Sequence, residues 1–108
     1  MNLKALLPYI EKELESFKDW KASENSITKI FLFDSHINAI KFVEAVSLEA
    51  ISRASFPEIK LSFEKVEIVF FSEKDSDVFN QIDFIKKIEQ FCDCYGLKSS
   101  LEQNNSEG

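Results

Sequence analysis

The sequence predicts an α+β domain: a four-stranded, largely antiparallel sheet with helices packed on one face, in the order α-β-β-α-β-β-α. Three observations predict it. Apolar residues recur at helical spacing in three separated stretches, and each gap between them holds extended, β-branched and aromatic segments. Such runs of strands between helices suit an antiparallel sheet covered on one side. The 108 residues, 44% of them apolar and eleven of them phenylalanine, suffice for one core without a metal or disulfides.

The first helix is expected over about Leu3 to Phe17, where Leu6, Ile10, Leu14 and Phe17 form one stripe. Pro8 is compatible with it if the helix begins near Leu7, since proline suits a first turn. Asp19 to Ser26 reads as a short strand around Trp20 followed by a polar turn, and Ile27 to Phe33 as a strand in a covered sheet. Asp34 or Ser35 caps a second helix from about His36 to Arg53, with Ala39, Phe42, Val43, Val46 and Ala50 inward and Lys41, Glu44 and Arg53 toward water. Pro57 punctuates its exit.

Lys60 to Phe63 and Val66 to Ser72 form two strands about a Glu64, Lys65 turn, and Glu73 to Asp77 is an acidic loop. Phe63, Val69 and Phe71 cannot all share a face with Ile68 and Phe70, which leaves apolar surface on the second face of the sheet. The last helix is expected over about Asn80 to Tyr95. Ile82, Ile85, Ile88 and Cys92 form one stripe and Phe84, Ile88, Phe91 and Tyr95 a second, so its apolar arc is wide enough for a subunit interface. Gly96 stops it. One domain over residues 1–97 and a disordered tail over 98–108 complete the organisation.

Composition excludes several function classes. A net charge of −6, with no basic cluster longer than Lys86, Lys87, argues against direct nucleic-acid binding and against the Phe-rich strands acting as a base-stacking platform. Gly96 and Gly108 are the only glycines, so phosphate-cradling loops of the Walker or dinucleotide type are excluded. No apolar run approaches the roughly 20 residues of a membrane helix. The start, broken by Lys4, Pro8, Glu11 and Lys12, does not read as a signal peptide, so a cytoplasmic location is expected. Cys92 and Cys94 point about 200° apart on a helix, which suits reduced thiols rather than a disulfide or a shared metal. With one histidine, His36, no four-ligand zinc site assembles, and no metal or cofactor is expected. Asp75 and Asp77 lack the glycine and terminal glutamate of a calcium loop and read as a solvated turn. His36, in a first helical turn, reads as a capping or packing residue.

One set of residues carries a resemblance. Leu6, Leu7 and Pro8, Trp20, Phe31 and Phe33, the inward face of the second helix, Pro57, Glu58, Phe63, Lys65, Val66 and Ile68 fall in a register similar to that of the pterin-4a-carbinolamine dehydratases. The resemblance spans roughly Leu6 to Phe91 and is ungapped from Phe33 to Glu73; Asp83 resembles the family's acidic residue opening the last helix. It implies the same α+β fold, a homodimer or homotetramer, and a pocket around Ile51, Ala54, Ser55, Phe56, Pro57, Glu58, Ile59, Glu73 and Asp83.

The family eliminates water from a 4a-hydroxytetrahydropterin, which needs an acid for the leaving hydroxide and a base for a ring proton; imidazoles near neutral pKa suit both. Here the positions resembling the paired histidines hold Ser55 and Phe56, and the third holds Glu73. The orienting acid is replaced by Ile51, the residue before the pair is Ala54, and the aromatic after Pro57 is Ile59. No catalytic residue is therefore expected, and the favoured reading is an inactive dehydratase-like protein serving as a dimeric binding or assembly module. The alternative is an active 4a-hydroxytetrahydrobiopterin dehydratase with a rewired pocket using Glu73, with help from His36. A further reading retains pterin binding without turnover, against which Phe56 places a bulky ring.

Overall fold

A computed structural model describes residues 6–14, 19–72 and 75–100. The elements in chain order are α1 (Leu7–Glu13), β1 (Lys21–Ala22), β2 (Ser26–Phe33), α2 (His36–Arg53), β3 (Glu58–Ser62), β4 (Lys65–Phe71), α3 (Asp75–Cys94) and β5 (Leu97–Ser100). The α+β order of three helices and four antiparallel strands is as the sequence predicts, with β5 added.

Strand β2 organises the sheet. It alternates strictly between half-buried and buried residues, so Ile27, Lys29, Phe31 and Phe33 all point to the helical layer. On one side it pairs antiparallel with β4, Ile27 opposite Phe70 and Phe31 opposite Val66, and β4 pairs in turn with β3. Both β1, opposite Ile27 and Thr28, and β5, opposite Phe31 to Phe33, lie along its other side.

Helix α2 packs on the inward face through Ala39, Phe42, Val46 and Ala50. Phe42 centres an aromatic cluster, its ring centroid 5.0 Å from Phe31 and 4.8 Å from Phe33. Of the two expected caps, Ser35 serves: its hydroxyl accepts from the Asn38 amide at 3.1 Å. His36 does not cap; its Nδ1 lies 2.5 Å from the Phe63 carbonyl, which makes Nδ1 the donor, and its ring stacks on Phe63.

Several boundaries differ from expectation. Helix α3 begins at Asp75, five residues before Asn80, so part of the expected acidic loop is helix. Asp and Ser are the residue types a helix start favours, and they mask it because they carry no apolar period. Strand β3 starts at Glu58, which draws Glu58 and Ile59 into the sheet. Its turn to β4 is Phe63–Glu64, one residue early, with Phe63 at φ 56°. Residues 98–100 of the expected tail instead pair with β2, because the left-handed Gly96 (φ 71°) turns the chain back along an edge that β1 covers only at its other end. The remainder of that tail, and the expected ends of the first helix, lie outside the described residues.

The wide arc of α3 is consumed within the chain. Val78, Ile82, Phe84, Ile85, Ile88 and Cys92 are buried, and Phe91 and Tyr95 pack against the same core. On the second face of the sheet, Val69 is half-buried and Phe71 exposed. Beneath the core lies a buried polar knot: Lys29 Nζ donates to Glu89 Oε2 at 2.8 Å, Trp20 Nε1 to the same oxygen at 2.6 Å, and the Lys29 ammonium sits 4.8 Å from the Phe31 ring centroid.

Candidate functional site: a polar cleft at the end of α2

The left-handed Ala54 (φ 52°) ends α2, with its amide donating to the carbonyls of Ala50 and Ile51 and that of Ser55 donating to Ala50 at 3.0 Å. This reversal turns Ala54 and Ser55 toward the first turns of α3. Between them opens a cavity of about 290 Å³ lined by Arg53, Ala54, Ser55, Asp77, Asn80 and Gln81.

Two of these residues are fixed by their partners. Gln81, only 6% exposed, donates from Nε2 to the Phe71 carbonyl at 2.8 Å and accepts the Ser72 hydroxyl at 2.5 Å, tying α3 to the end of β4. Arg53 donates from Nε to Glu49 Oε2 at 2.7 Å and from Nη1 to Asp83 Oδ2 at 2.9 Å, with its guanidinium 5.0 Å from the Phe84 ring centroid. Partial burial pushes its pKa down, but the hydrogen bonds to Asp83 and Glu49 and the charges of both outweigh that, and the net direction is up. Arg53 therefore keeps its proton and is no acid for chemistry near neutrality.

The structure divides the sequence-expected pocket. Ala54 and Ser55 line the cavity, and Asp83 joins its rim through Arg53. Ile51 faces outward from α2, and Phe56 is 72% exposed, its ring in solvent rather than in the cleft. Pro57 is half-buried, Glu58 is exposed at the start of β3, and Ile59 packs on the core opposite Ile68. Glu73 lies outside the described residues. Arg53, Asp77, Asn80 and Gln81 were absent from the sequence-expected set. Gln81 had a signal: it is a polar residue at a buried helical position, beside Val78 and Ile82. Arg53 had none, because its side chain folds back across α3 instead of extending to water.

Helix α2 also separates the chain's imidazole from the cleft. His36 opens the helix and Arg53 closes it, which at 1.5 Å per residue puts them about 25 Å apart along the axis. The described cleft offers a serine hydroxyl, carboxamides at Asn80 and Gln81, a charge-balanced guanidinium and the Asp77 carboxylate. Among the described residues no group of three or more His, Cys, Asp or Glu is placed to hold a metal ion, and no helix is long and apolar enough to cross a membrane.

Residues 7–91 match the family described as Pterin 4 alpha carbinolamine dehydratase. The chain is 32% identical over 75 residues to the "Putative pterin-4-alpha-carbinolamine dehydratase" of Picosynechococcus sp., covering 69% of this chain and 80% of that protein. It is 33% identical over 64 residues to the "Putative pterin-4-alpha-carbinolamine dehydratase 2" of Gloeobacter violaceus, covering 56% and 70%. Among solved structures it is similar to a transcriptional coactivator/pterin dehydratase from Brucella Melitensis, with a TM-score of 0.68, 18% identity, and coverage of 79% of this chain and 94% of that one. At that identity the likeness is one of fold.

Proposed function

The chain belongs to the pterin 4 alpha carbinolamine dehydratase family, and from that premise we propose that it is a non-catalytic member, working in the cytoplasm as a self-associating binding or assembly module. One observation carries the reading: the cleft at the end of α2 has Ser55 at its wall, while the chain's single histidine lies at the far end of that helix. Dehydration requires one group to protonate a leaving hydroxide and another to take a ring proton. Each such group is typically worth about 10²–10⁴-fold in rate, and Ser55 supplies neither near neutrality. The Brucella protein is named both a transcriptional coactivator and a pterin dehydratase, which supports an interaction role for this fold.

The test is formation of quinonoid dihydropterin from freshly generated 4a-carbinolamine. The expected rate equals that of buffer alone. A clear acceleration, lost in Glu73→Gln, would overturn the proposal in favour of a rewired dehydratase using that carboxylate.

A second reading is favoured by the open cleft. Because the Phe56 ring stands in solvent, a cavity of about 290 Å³ remains, close to the lower end for small-molecule sites. A reduced pterin held there without turnover would give saturable quenching in a fluorescence titration, weakened by Asn80→Ala; a non-saturating response removes this reading.

A further inference from the structure

The cleft between the end of α2 and the first turns of α3 is unbalanced in charge. Among the described residues that line or rim it, the single guanidinium of Arg53 is set against three carboxylates, those of Glu49, Asp77 and Asp83. The formal balance is therefore negative, on a chain whose own total is −6. Helix α2 presents its C-terminal end to the cleft and α3 its N-terminal end, so the two helix dipoles offset and the side chains decide the sign. A concave site walled by protein focuses such a potential: cations concentrate in it and anions are repelled.

The polar groups of the cleft divide into engaged and available. Gln81 is buried and committed at both ends, Nε2 to the Phe71 carbonyl and Oε1 to the Ser72 hydroxyl. Arg53 is committed through Nε and Nη1 to its two carboxylates. Both hold α3 against the rest of the fold. Available to a ligand are acceptors from the two walls: the half-buried Ser55 hydroxyl after α2, and the Asn80 carboxamide oxygen and Asp77 carboxylate on α3. Asp77 and Asn80 stand three residues apart and so share a helix face. A carboxylate has about four acceptor sites, which leaves room for a further donor beside any partner Asp77 already has.

Three acceptors, one of them charged, are the complement of one chemical group in particular. An ammonium is compact and cationic, with three rotatable donors and no acceptor. Its hydrogen bond to Asp77 is charge-assisted, and Ser55 and Asn80 take the other two protons. A carboxylate or phosphate would instead find Arg53 held by two carboxylates and would meet Asp77 as a like charge. The cavity of about 290 Å³ is small for a drug-sized ligand and suits an alkyl chain ending in such a head. We infer that the cleft binds a primary ammonium group, the head of an alkylamine or of a lysine side chain. The inference rests on the binding role proposed above, gives that role a ligand class, and does not depend on self-association.

Amide NMR spectra of the full chain, titrated with n-butylammonium, spermidine and the capped peptide acetyl-Ala-Lys-Ala-amide, test it. Saturable shifts are expected to converge on the Ser55 and Asn80 amides. Butyrate and the neutral acetyl-Ala-Gln-Ala-amide should leave those amides unmoved. The dissociation constant should rise about 10-fold in Asp77→Asn and about 3-fold in Ser55→Ala and in Asn80→Ala. Added salt should weaken binding in the wild type. Circular dichroism checks each variant, and the Ser55 and Asn80 variants carry the test if Asp77→Asn unravels the start of α3. A lysine peptide that binds tighter than both free amines assigns the source to a partner protein, and tighter spermidine assigns it to a free polyamine; both sustain the inference. Absence of saturation, shifts spread over the whole acidic surface, equal binding of the glutamine peptide, or affinities unchanged in all folded variants would overturn it. Those outcomes leave the dehydratase assay untouched: acceleration there sinks the non-catalytic reading alone, whereas a buffer-level rate without ammonium binding sinks this inference alone.

Discussion

Single side chains show where physical chemistry has been spent in this fold. Cys92 is buried in the core, and burial, reinforced by the charge of Glu89, pushes its thiol well above the ordinary value of 9.0. A raised folded-state pKa has a definite sign. Below about pH 9 the thiol is protonated in folded and unfolded chains alike, and it contributes nothing to the pH dependence. Above that, the unfolded thiol ionises while the folded one does not, so stability falls by up to about 1.4 kcal/mol per pH unit. Urea midpoints are expected to decline on going from about pH 8 to about pH 10, and to decline less in Cys92→Ala. A thiol reagent should label the exposed Cys94 at once and Cys92 only as the chain unfolds. The sequence anticipated reduced thiols in and beside the core, because two cysteines two apart on a helix must diverge. It held no sign of the Lys29–Glu89–Trp20 knot, since that joins residues 60 and 69 positions apart. Removing one member, as in Lys29→Met, strands a largely buried carboxylate, and chemical denaturation should register a loss of about 3 kcal/mol.

At the level of elements, periodicity was a good guide to interiors and a poor one to ends. The inward face of α2 was legible residue by residue, because Ala39, Phe42, Val46 and Ala50 repeat at helical spacing and nothing interrupts them. The start of α3 was not, because helix starts are chosen by capping and dipole chemistry rather than by apolar period. The C-terminal end of α2 is a useful case. Ala54 occupies a left-handed conformation that a β-carbon disfavours by about 1 kcal/mol or more. Ala54→Gly should therefore raise stability by about 1 kcal/mol, measured by thermal or urea unfolding, without moving Ser55. The cleft was half legible for the same reason. Its α2 wall, Ala54 and Ser55, follows from the resemblance in register, whereas its α3 wall of Asp77, Asn80 and Gln81 belongs to turns whose sequence reads as loop or helix start. Phe56 shows the complementary case: its bulky ring counted against pterin binding where the resemblance places a histidine, yet that ring faces water.

For the whole molecule, one asymmetry matters most. Six apolar side chains of α3 are buried and Phe79 is its large exposed one, while α2 keeps four large aliphatic side chains outside. The sequence pointed to assembly through the wide apolar arc of α3, whereas in the fold that arc covers the core, because a helix flanked by two others must cover both neighbours. Here α3 packs against both α1 and α2. Strand β5 carries a consequence of its own. By pairing with β2 from Phe31 to Phe33, it occupies backbone groups that would otherwise stand ready for any passing extended peptide. A chain cut after Gly96 would uncover that row of amides and carbonyls beside the half-buried Leu32. Such a truncation is expected to scatter light on gentle warming, at temperatures where the intact chain remains clear. The last strand would thus act as a guard against templated fibre growth.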